Sequence, residues 1–364
     1  MITYDVIVVG AGPAGSAAAY DLAVHNFSVL LLDKTRFPRM KACAGGLTIK
    51  AAGALRYPIE SITRTACCNM EVSRHLSKQT TLKCEMPVVL MTERSEFDYF
   101  CLNETLKTGV EFRVVKKLLH VKEQEQSLEC VTEQGTLRSK FLIGADGANS
   151  SIRKQLAPFP EFKRGFAIEA KVPLVAHRHD EMAFDFGVVP SGYGWVFPKG
   201  DHLNIGLYAY NDSIKLKAEA LYHYCREKTG SNTLQEMAAF SIGFGGWGYK
   251  PGSERVFLVG DAAGLADPLL GEGLHNAIRS GQAAAQAIIQ KTHGGISASV
   301  CYHKLIEPIK ADTLAAYKMA RWFYRFPSLG YALLSFTPLG QVLMKGYAMG
   351  LTLSEIKSRF LKSR

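Results

Sequence analysis

The N-terminal part of the chain alternates between apolar runs of strand length and one helix-like run. Residues 4–9 (Tyr-Asp-Val-Ile-Val-Val) and 28–32 are apolar runs that predict buried parallel strands. The alanine-rich segment 16–22 between them predicts a helix. Strand, helix and strand in this order are typical of the first unit of a doubly wound α/β sheet.

Further along the chain the pattern changes. Residues 61–91 and 166–210 contain short alternating runs, which predict an antiparallel sheet. Other segments have the helix or strand patterns expected of the first domain, at residues 97–108, 135–144, 256–259 and 273–290. We therefore predict an α/β fold with a discontinuous Rossmann-type domain, an inserted and mostly antiparallel β-sheet domain, and a C-terminal helical segment.

The predicted domain boundaries follow these changes of pattern. We place the Rossmann-type domain at 1–60, 92–165 and 245–300, the sheet domain at 61–91 and 166–244, and the helical region at 301–364. The C-terminal pattern is helical from Leu305 and broken at Pro327 and Pro338. Residues 326–344 carry no charge and approach the ~20 residues of a membrane span, but their prolines, glycines and polar residues make a poor span.

Composition excludes a disordered chain, because 47% of the residues are hydrophobic and 21% are charged. The formal net charge is +10, which suits a basic soluble enzyme, an anionic ligand, a nucleic acid or an anionic membrane surface. From residue 313 onward, eight cations oppose Glu355 alone and give this tail +7. They are Lys318, Arg321, Arg325, Lys345, Lys357, Arg359, Lys362 and Arg364. Since no nucleic-acid-binding signature is present, we expect no nucleic-acid partner.

The eight cysteines form no CxxC pair and no His/Cys set with zinc spacing, so we predict no metal site. We expect reduced thiols and a cytoplasmic protein. The first strand begins near Tyr4, which leaves no room for a signal peptide.

The strongest chemical signal is Gly10-x-Gly12-x-x-Gly15, between the first predicted strand and helix. Gly10 permits a tight turn, Gly12 lets the backbone approach a pyrophosphate, and Gly15 lets the helix pack on the strand. The free N–H groups and the dipole of the helix then favour phosphates. Asp33, at the end of the second strand, is placed to accept hydrogen bonds from ribose hydroxyls. The alternative is that these are glycines of an ordinary turn.

Two further glycine-rich segments follow apolar runs. They read Gly144-Ala-Asp146-Gly147-Ala-Asn-Ser150-x-x-Arg153 and Val259-Gly260-Asp261-Ala-Ala-Gly264, the latter followed by Asp267-Pro268-x-x-Gly271-Glu-Gly273. Asp261 is placed to bind a ribityl hydroxyl. The N–H groups from Gly271 to Leu274 could face the flavin N1/O2 edge, where negative charge develops on reduction. Each segment alone could be a structural turn, but three motifs in this order favour a nucleotide site.

In this order the motifs resemble those of the p-hydroxybenzoate-hydroxylase-like flavoprotein superfamily, over nearly the whole chain. The resemblance implies non-covalent FAD, reduced by NAD(P)H or a protein donor. It also implies that Asp146 and its turn approach the FAD pyrophosphate and that Arg94 packs beside the FAD. A solvated surface charge is the alternative for Arg94. The predicted FAD-binding residues are Gly10, Gly12, Pro13, Ala14, Gly15, Asp33, Lys34, Cys43, Ala44, Gly45, Arg94, Asp146, Gly147, Gly260, Asp261, Pro268, Gly271, Gly273 and Leu274.

Two more segments resemble geranylgeranyl reductases. The first, Phe37-Pro-Arg-x-Lys-x-Cys43-Ala44-Gly-Gly-Leu47, is similar to their FPRxKxCGGG loop. The second, Tyr193-x-Trp195-x-Phe197-Pro-Lys199 with Gly206, is similar to their YxWxFPK substrate-region motif. Ala44 replaces the first glycine of the loop, and Leu207-Tyr208 follow Gly206 where a second glycine is usual. These departures concern the substrate rather than the flavin fold.

An apolar substrate fits the physical pattern. Tyr193, Trp195 and Phe197 face one side of a strand, and aromatic walls suit an isoprenoid chain. The alternative is that this stripe is only sheet core. Cys43 follows the second strand and could reach the flavin ring, so we predict it as a candidate catalytic proton source beside water. The alternative is an inert buried thiol.

These features lead to one main functional hypothesis, that reduced flavin reduces C=C bonds of an isoprenoid lipid. The alternative is a flavin-dependent monooxygenase or a halogenase-like enzyme on an aromatic or apolar substrate. Halogenases have WxWxIP where this chain has Tyr193 and Phe197, which argues against halogenation but not hydroxylation. A flavin-binding sensor is a third, weaker reading.

The tail suggests peripheral membrane contact at the inner face of the membrane. Lys318, Arg321 and Arg325 share one helix face, beside Trp322 and neighbouring apolar residues. A basic face beside aromatic residues is typical of an interfacial helix. The alternative is that this helix packs on the FAD domain and that its cations are merely solvated.

Overall fold

The computed structural model describes residues 3–156, 159, 161–174, 181–211 and 213–362. Arg364, counted above in the basic tail, lies outside the described residues. The strands are β1 Thr3–Val9, β2 Val29–Asp33, β3 Gly46–Thr48, β4 Thr65–Cys67, β5 Met70–Arg74, β6 Ser77–Leu82, β7 Val89–Met91, β8 Glu111–Val114, β9 Leu118–Glu123, β10 Leu128–Thr132, β11 Gly135–Gly144, β12 Lys163–Pro173, β13 Met182–Phe186, β14 Gly192–Pro198, β15 His202–Ala209, β16 Gln235–Phe244 and β17 Val256–Leu258.

The α-helices lie between these strands and after the last of them. They are α1 Pro13–Ala23, α2 Ile49–Ala52, α3 Arg94–Leu106, α4 Ser151–Leu156, α5 Ala218–Thr229, α6 Leu274–Thr292, α7 Ala298–Arg325, α8 Pro327–Ser335, α9 Thr337–Ala348 and α10 Leu353–Lys362.

The first sheet, which carries the glycine motifs, has the order β8-β2-β1-β11-β10-β9, with β17 also paired to β11. Strands β8, β2, β1, β11 and β17 are parallel, while β9 and β10 are antiparallel. Helices α1 and α6 cross closely at Gly281, where a Cβ would lie 2.2 Å from the Ala14 carbonyl oxygen. Because β1, β2 and β17 run parallel in this sheet, their carboxyl ends lie at the same edge, where a doubly wound fold binds its ligand.

The second sheet has the order β16-β12-β15-β14-β13-β5-β6, and all its pairs are antiparallel except β13 with β5. One face packs on α5, where a Cβ at Gly194 would lie 2.5 Å from the Tyr224 ring. The other face turns toward α7, α8 and α9. A small sheet, β3-β7-β4, joins residues 46–48 to this region.

The predicted fold class is confirmed, including the mostly antiparallel second sheet and the helical C-terminus. Two details differ from the expectation. Residues 135–144 form one long central strand, because its second half pairs with both β1 and β17. The C-terminal helices break at Phe326 and Phe336, and each following proline takes an early position in the next helix, where its missing N–H costs nothing.

Candidate functional site

The first glycine motif forms the turn from β1 into α1. Gly10 has φ +107°, and a Cβ there would lie 2.3 Å from the Ala145 carbonyl oxygen. A Cβ at Gly15 would lie only 1.8 Å from the Gly10 oxygen. At Gly12, by contrast, the nearest atom to a Cβ is Arg39 Nη2, at 3.8 Å. Gly10 and Gly15 are therefore required by the protein's own packing, whereas Gly12 borders open space.

Asp33 lies at the end of β2, beside that turn. One carboxylate oxygen accepts a hydrogen bond from the Ala11 N–H at 2.9 Å, and the other accepts from Thr35 N–H at 3.0 Å. Arg39 Nε lies 3.9 Å away, so a cation also borders the space near Gly12. Lys34 is exposed. Binding of a ribose by Asp33 stays a prediction.

The second motif turns from β11 into α4. Asp146 Oδ2 accepts from the Ser151 N–H at 2.6 Å and caps the start of α4, while Oδ1 is buried without a hydrogen-bond partner among the described residues. Gly147 has φ +79° and nothing within 4 Å of its Cβ position. Arg153 donates to the Ala148 and Ala262 carbonyls at 2.8 and 2.9 Å. This arginine therefore ties the second motif to the third, a role that the sequence did not suggest.

The third motif follows β17 and leads into α6. Gly260 has φ +56°, and Asp261 Oδ1 lies 3.2 Å from the Cβ position of Gly273. Burial raises the pKa of Asp261, although Arg94 and Arg153 oppose the shift. Asp261 therefore sits beside the N-terminus of α6, and its contact with a ribityl hydroxyl stays a prediction.

Residues 268–270 form a turn next to Gly271, which we call the flavin-edge turn. Its backbone is held by three tyrosine hydroxyls: Tyr208 donates to the Pro268 carbonyl at 2.8 Å, Tyr324 donates to Leu269, and Tyr193 donates to Leu270. Tyr193, predicted to face substrate, thus also supports this turn.

These residues fit FAD. The Gly12 N-cap of α1 has no side chain, so the first N–H groups of this helix stay free for anionic atoms. At the start of α6 the Glu272 carboxylate accepts the His275 N–H at 2.9 Å, which leaves the N–H groups of Leu274 and Asn276 for such atoms. The open space at Gly12 and the nearby Arg39 suit a pyrophosphate. The N-terminus of α6 suits the flavin N1/O2 edge.

Arg94 is buried, which shows that the surface-charge alternative was wrong. Its guanidinium pairs with Asp98 at 2.9 and 3.0 Å, and Arg39 approaches the same carboxylate at 3.2 Å. Although burial opposes it, Asp98 and Cys43 raise the pKa of Arg94. A fixed positive charge therefore lies near the Cys43 loop.

The loop Cys43–Gly45 is fastened by two buried charged side chains. Lys199 Nζ, 2% exposed, donates to the Ala44 carbonyl at 2.6 Å and to the Thr92 carbonyl at 2.9 Å. Glu169 Oε1 accepts from the Cys43 N–H at 2.7 Å. Burial lowers the pKa of Lys199 to about 8 and raises that of Glu169 to about 7.

An apolar cavity of about 530 Å³ lies between the second sheet and the C-terminal helices. One end of the cavity reaches the Cys43–Gly45 loop and the flavin-edge turn. The wall of the cavity includes Tyr193, Trp195 and Phe197. Gly206 makes room for this wall, because a Cβ there would lie 2.1 Å from the Trp195 ring. The aromatic stripe is therefore buried and lines a cavity at the same time.

The far end of this cavity lies under α7 and α8. Met319, Trp322 and Leu333 line it and are also exposed, at 40%, 39% and 43%. We call the exposed apolar residues here the apolar rim: Met319, Trp322, Phe326, Leu329, Leu333 and Phe336. None of the described helices combines the length and apolar sequence that a membrane span needs.

A second cavity of about 400 Å³, lined mainly by polar and charged residues, also borders Cys43, and we call it the polar cavity. The residues that line it are Pro38, Arg39, Met40, Lys41, Cys43, Glu93, Arg94, Ser95, Glu96, Glu169, Ala170, Lys171, Asn204, Glu236 and Ala238.

The sequence did not reveal Glu169 or the role of Lys199. Glu169 stands in an alternating strand, where a polar residue ordinarily faces solvent, and the Cys43 loop buries it from a distance of 126 residues along the chain. Lys199 is the last residue of the Tyr193–Lys199 aromatic motif, and its place in that motif was the one sequence feature that pointed to a role for it.

Similarity to known proteins identifies the family of this chain. A model of the FAD binding domain matches residues 3–179. An uncharacterized protein of Methanosarcina barkeri is 32% identical over 99% of this chain and 94% of its own length. Digeranylgeranylglycerophospholipid reductase 1 of Methanococcoides burtonii is 30% identical over 79% of this chain and 76% of its own length.

Two solved structures share the fold. A geranylgeranyl bacteriochlorophyll reductase-like protein of Thermoplasma acidophilum has a TM-score of 0.78 and 24% identity, with 99% of each chain covered. A flavin-dependent brominase has a TM-score of 0.77 and 18% identity, with 100% of this chain and 99% of that chain covered. The fold alone therefore does not select a reaction. With the sequence relatives, the motifs and the fitted site, this chain belongs to the geranylgeranyl reductase family of FAD-dependent oxidoreductases.

Proposed function

We propose that this flavoenzyme reduces C=C bonds of an isoprenoid lipid. The observation that carries the proposal is the apolar cavity, which runs from the apolar rim to the Cys43 loop and the flavin-edge turn. A chain-like apolar molecule in this cavity would have one end near the flavin and the other near the protein surface. When bound, reduced FAD supplies the hydride, and NAD(P)H or a protein donor supplies its electrons.

An isolated alkene has no polar group to which the protein could hydrogen-bond, so the C=C bond must be positioned by the shape of the cavity. Tyr193, Trp195 and Phe197 form one wall, and Trp195 is fixed by a 2.7 Å hydrogen bond from its Nε1 to Asn204 Oδ1. Lys199 fixes the Cys43 loop at the end of the cavity. Cys43 lies where an apolar substrate would end, and its thiol can supply the proton that accompanies the hydride.

Two lipids with the same head group test this proposal. The FAD is reduced without oxygen, and a prenylated lipid or its fully saturated analogue is then added. We expect flavin reoxidation and a product heavier by two hydrogen atoms with the unsaturated lipid only. Reoxidation that needs oxygen and yields a hydroxylated or halogenated product would instead establish the monooxygenase or halogenase alternative.

We also infer that the apolar rim docks on an anionic membrane surface, from which the substrate enters. Phe326, Leu329 and Phe336 are 52%, 51% and 59% exposed, and the rim is continuous with the cavity. Lys318, Arg321 and Arg325 are exposed on α7 beside it. Each such cation contributes about 1 kcal/mol near an anionic leaflet, so three support weak, salt-sensitive binding.

Flotation with phosphatidylserine-containing vesicles tests this docking. We expect binding at low salt that is lost at high salt, on neutral vesicles, and in a Lys318/Arg321/Arg325→Glu variant. Glu replacement of Lys122, Lys154 and Lys163, which lie outside the rim, is the matched control and should leave binding intact. Failure to float at low salt, or dimerisation through the rim in sedimentation, would contradict membrane docking.

A further inference from the structure

Cys43 borders two cavities of different character. The apolar cavity and the polar cavity share Cys43 alone among the described residues that line them. Cys43 therefore borders both the space proposed for the substrate and a polar, water-compatible space. Reduction of one C=C bond consumes a proton as well as a hydride, so a thiol that donates a proton must regain one before the next turnover.

Glu169 is the carboxyl group that reaches the Cys43 loop from the polar side. In the second sheet it shares a cross-strand row with Gly206 and Trp195. It is 6% exposed, and its Oε1 accepts the Cys43 N–H at 2.7 Å. Oε2 is buried, and no described residue donates a hydrogen bond to it. If Glu169 is protonated on Oε2, this buried oxygen becomes a neutral hydroxyl group and no longer needs a hydrogen bond from another residue to stabilise a negative charge.

The groups around Glu169 leave its protonation finely balanced. Burial raises its pKa to about 7, and the nearby Glu93 acts in the same direction. The Cys43 N–H, the Asn204 side chain and the Lys199 ammonium oppose this shift. The carboxyl group therefore exchanges its proton near neutral pH, as a proton carrier requires.

The polar cavity also connects Glu169 with solvent. Its wall includes Lys171, which pairs with Glu93 and Glu236 at 3.7 and 2.8 Å. The Glu236 side chain is 44% exposed. The polar cavity therefore offers a route from solvent toward Glu169 that does not cross the apolar cavity.

We propose that Glu169 is a positioning residue that also returns a proton to Cys43 after each reduction. This rests on the proposed function. At one alkene carbon the Cys43 S–H bond breaks as the substrate C–H bond forms. Reduced FAD, when bound, would supply the hydride for the other carbon and would be oxidised by two electrons, so the step balances. The Cys43 thiolate then takes the proton of the Glu169 carboxyl group. The Glu169 carboxylate takes a proton from water in the polar cavity, which completes the cycle.

The variant Glu169→Gln tests this relay, because it keeps an oxygen for the Cys43 N–H but carries no transferable proton. We expect kcat to fall about tenfold or more, with KM and FAD affinity unchanged. In the wild type, kcat should fall as pH rises through about 7, because the acid form of Glu169 is lost. That fall should be absent from the variant, and a small weak acid in the buffer should partly restore its activity.

A second measurement needs no substrate. The rate at which iodoacetamide alkylates Cys43, followed by peptide mass spectrometry, should change near pH 7 in the wild type and not in Glu169→Gln. The matched control is Glu96→Gln, which removes another carboxyl group from the wall of the same cavity. It should behave as the wild type. Should Glu169→Gln fail to fold, Glu169→Asp serves, and its longer gap to Cys43 should slow kcat less than Gln does.

The two proposals fail in different ways. A wild-type enzyme that reduces no prenyl lipid contradicts the proposed function. A wild-type enzyme that does reduce one, together with a Glu169→Gln variant that keeps the wild-type pH profile and alkylation curve, overturns the relay alone.

Discussion

At the sheet that contains β1, the candidate FAD site is formed mainly by backbone groups. Gly10 and Gly15 are shaped by contacts with the turn itself and with Ala145, and two helix N-termini offer N–H groups. In the sheet that contains β14, the site is made of side chains, where Trp195 packs over Gly206 and Glu169 reaches the Cys43 loop. Each turn of a backbone site takes its special residues from one short stretch of sequence. A side-chain site gathers residues from distant segments.

This contrast predicts that the two sites can be damaged separately. The cofactor site should respond to added bulk, since its function depends on open space. The apolar cavity should respond to lost bulk, since the proposed binding of an apolar substrate depends on a filled wall. Three substitutions test the separation, and they are ordered here by expected effect.

The largest effect is expected from Gly12→Val. The nearest protein atom to a Cβ at this position is 3.8 Å away, and its φ of −76° suits any L-residue, so the variant should fold. The new side chain would occupy the pyrophosphate path, and FAD binding should be abolished. Absorbance of the purified protein and FAD titration measure this.

Gly15→Val is the matched control for that experiment. Its Cβ would lie 1.8 Å from the Gly10 oxygen, so this variant should lose thermal stability as well as FAD. A yellow Gly12→Val protein, or two variants with the same loss of melting temperature, would contradict the assignment of Gly12 to the cofactor path.

A smaller effect, on the other site, is expected from Trp195→Ala. The indole is 3% exposed and lines the apolar cavity, so its removal should weaken lipid turnover at least tenfold while FAD affinity stays near the wild-type value. The lost packing should also cost ~3–5 kcal/mol of unfolding free energy. Trp195→Phe retains most of the wall and should recover most of the turnover. Equal losses of FAD binding and turnover in Trp195→Ala would mean that the two sites are not separable.

The same contrast explains what the sequence could predict. The glycine motifs, Asp33 and Asp261 were recognisable because a turn between a strand and a helix needs its special residues at fixed local spacing. The aromatic stripe was recognisable from alternation along β14. Glu169 was not, because its burial and its raised pKa arise only when the Cys43 loop, 126 residues away, lies against its strand. Lys199 was recognisable as a motif residue but not as the clamp on Ala44 and Thr92.

The flavin-edge turn is where the two kinds of site meet, since side chains of the second sheet and α7 hold a backbone of the first domain. Tyr324→Phe removes one of its three supports, the hydrogen bond to the Leu269 carbonyl. The ring should stay in place, because it stacks on Tyr210 with centroids 5.4 Å apart.

We expect Tyr324→Phe to cost about 1 kcal/mol of unfolding free energy, as for a typical lost hydrogen bond, and to weaken FAD binding only a few-fold. Tyr331→Phe is the control, since its hydroxyl bonds Thr80 at 3.0 Å, away from the turn. It should lose similar stability and keep the wild-type FAD affinity. If the two variants bound FAD equally well, the tyrosines would support the fold without tuning the cofactor site, and the two regions would be more independent than their shared turn implies.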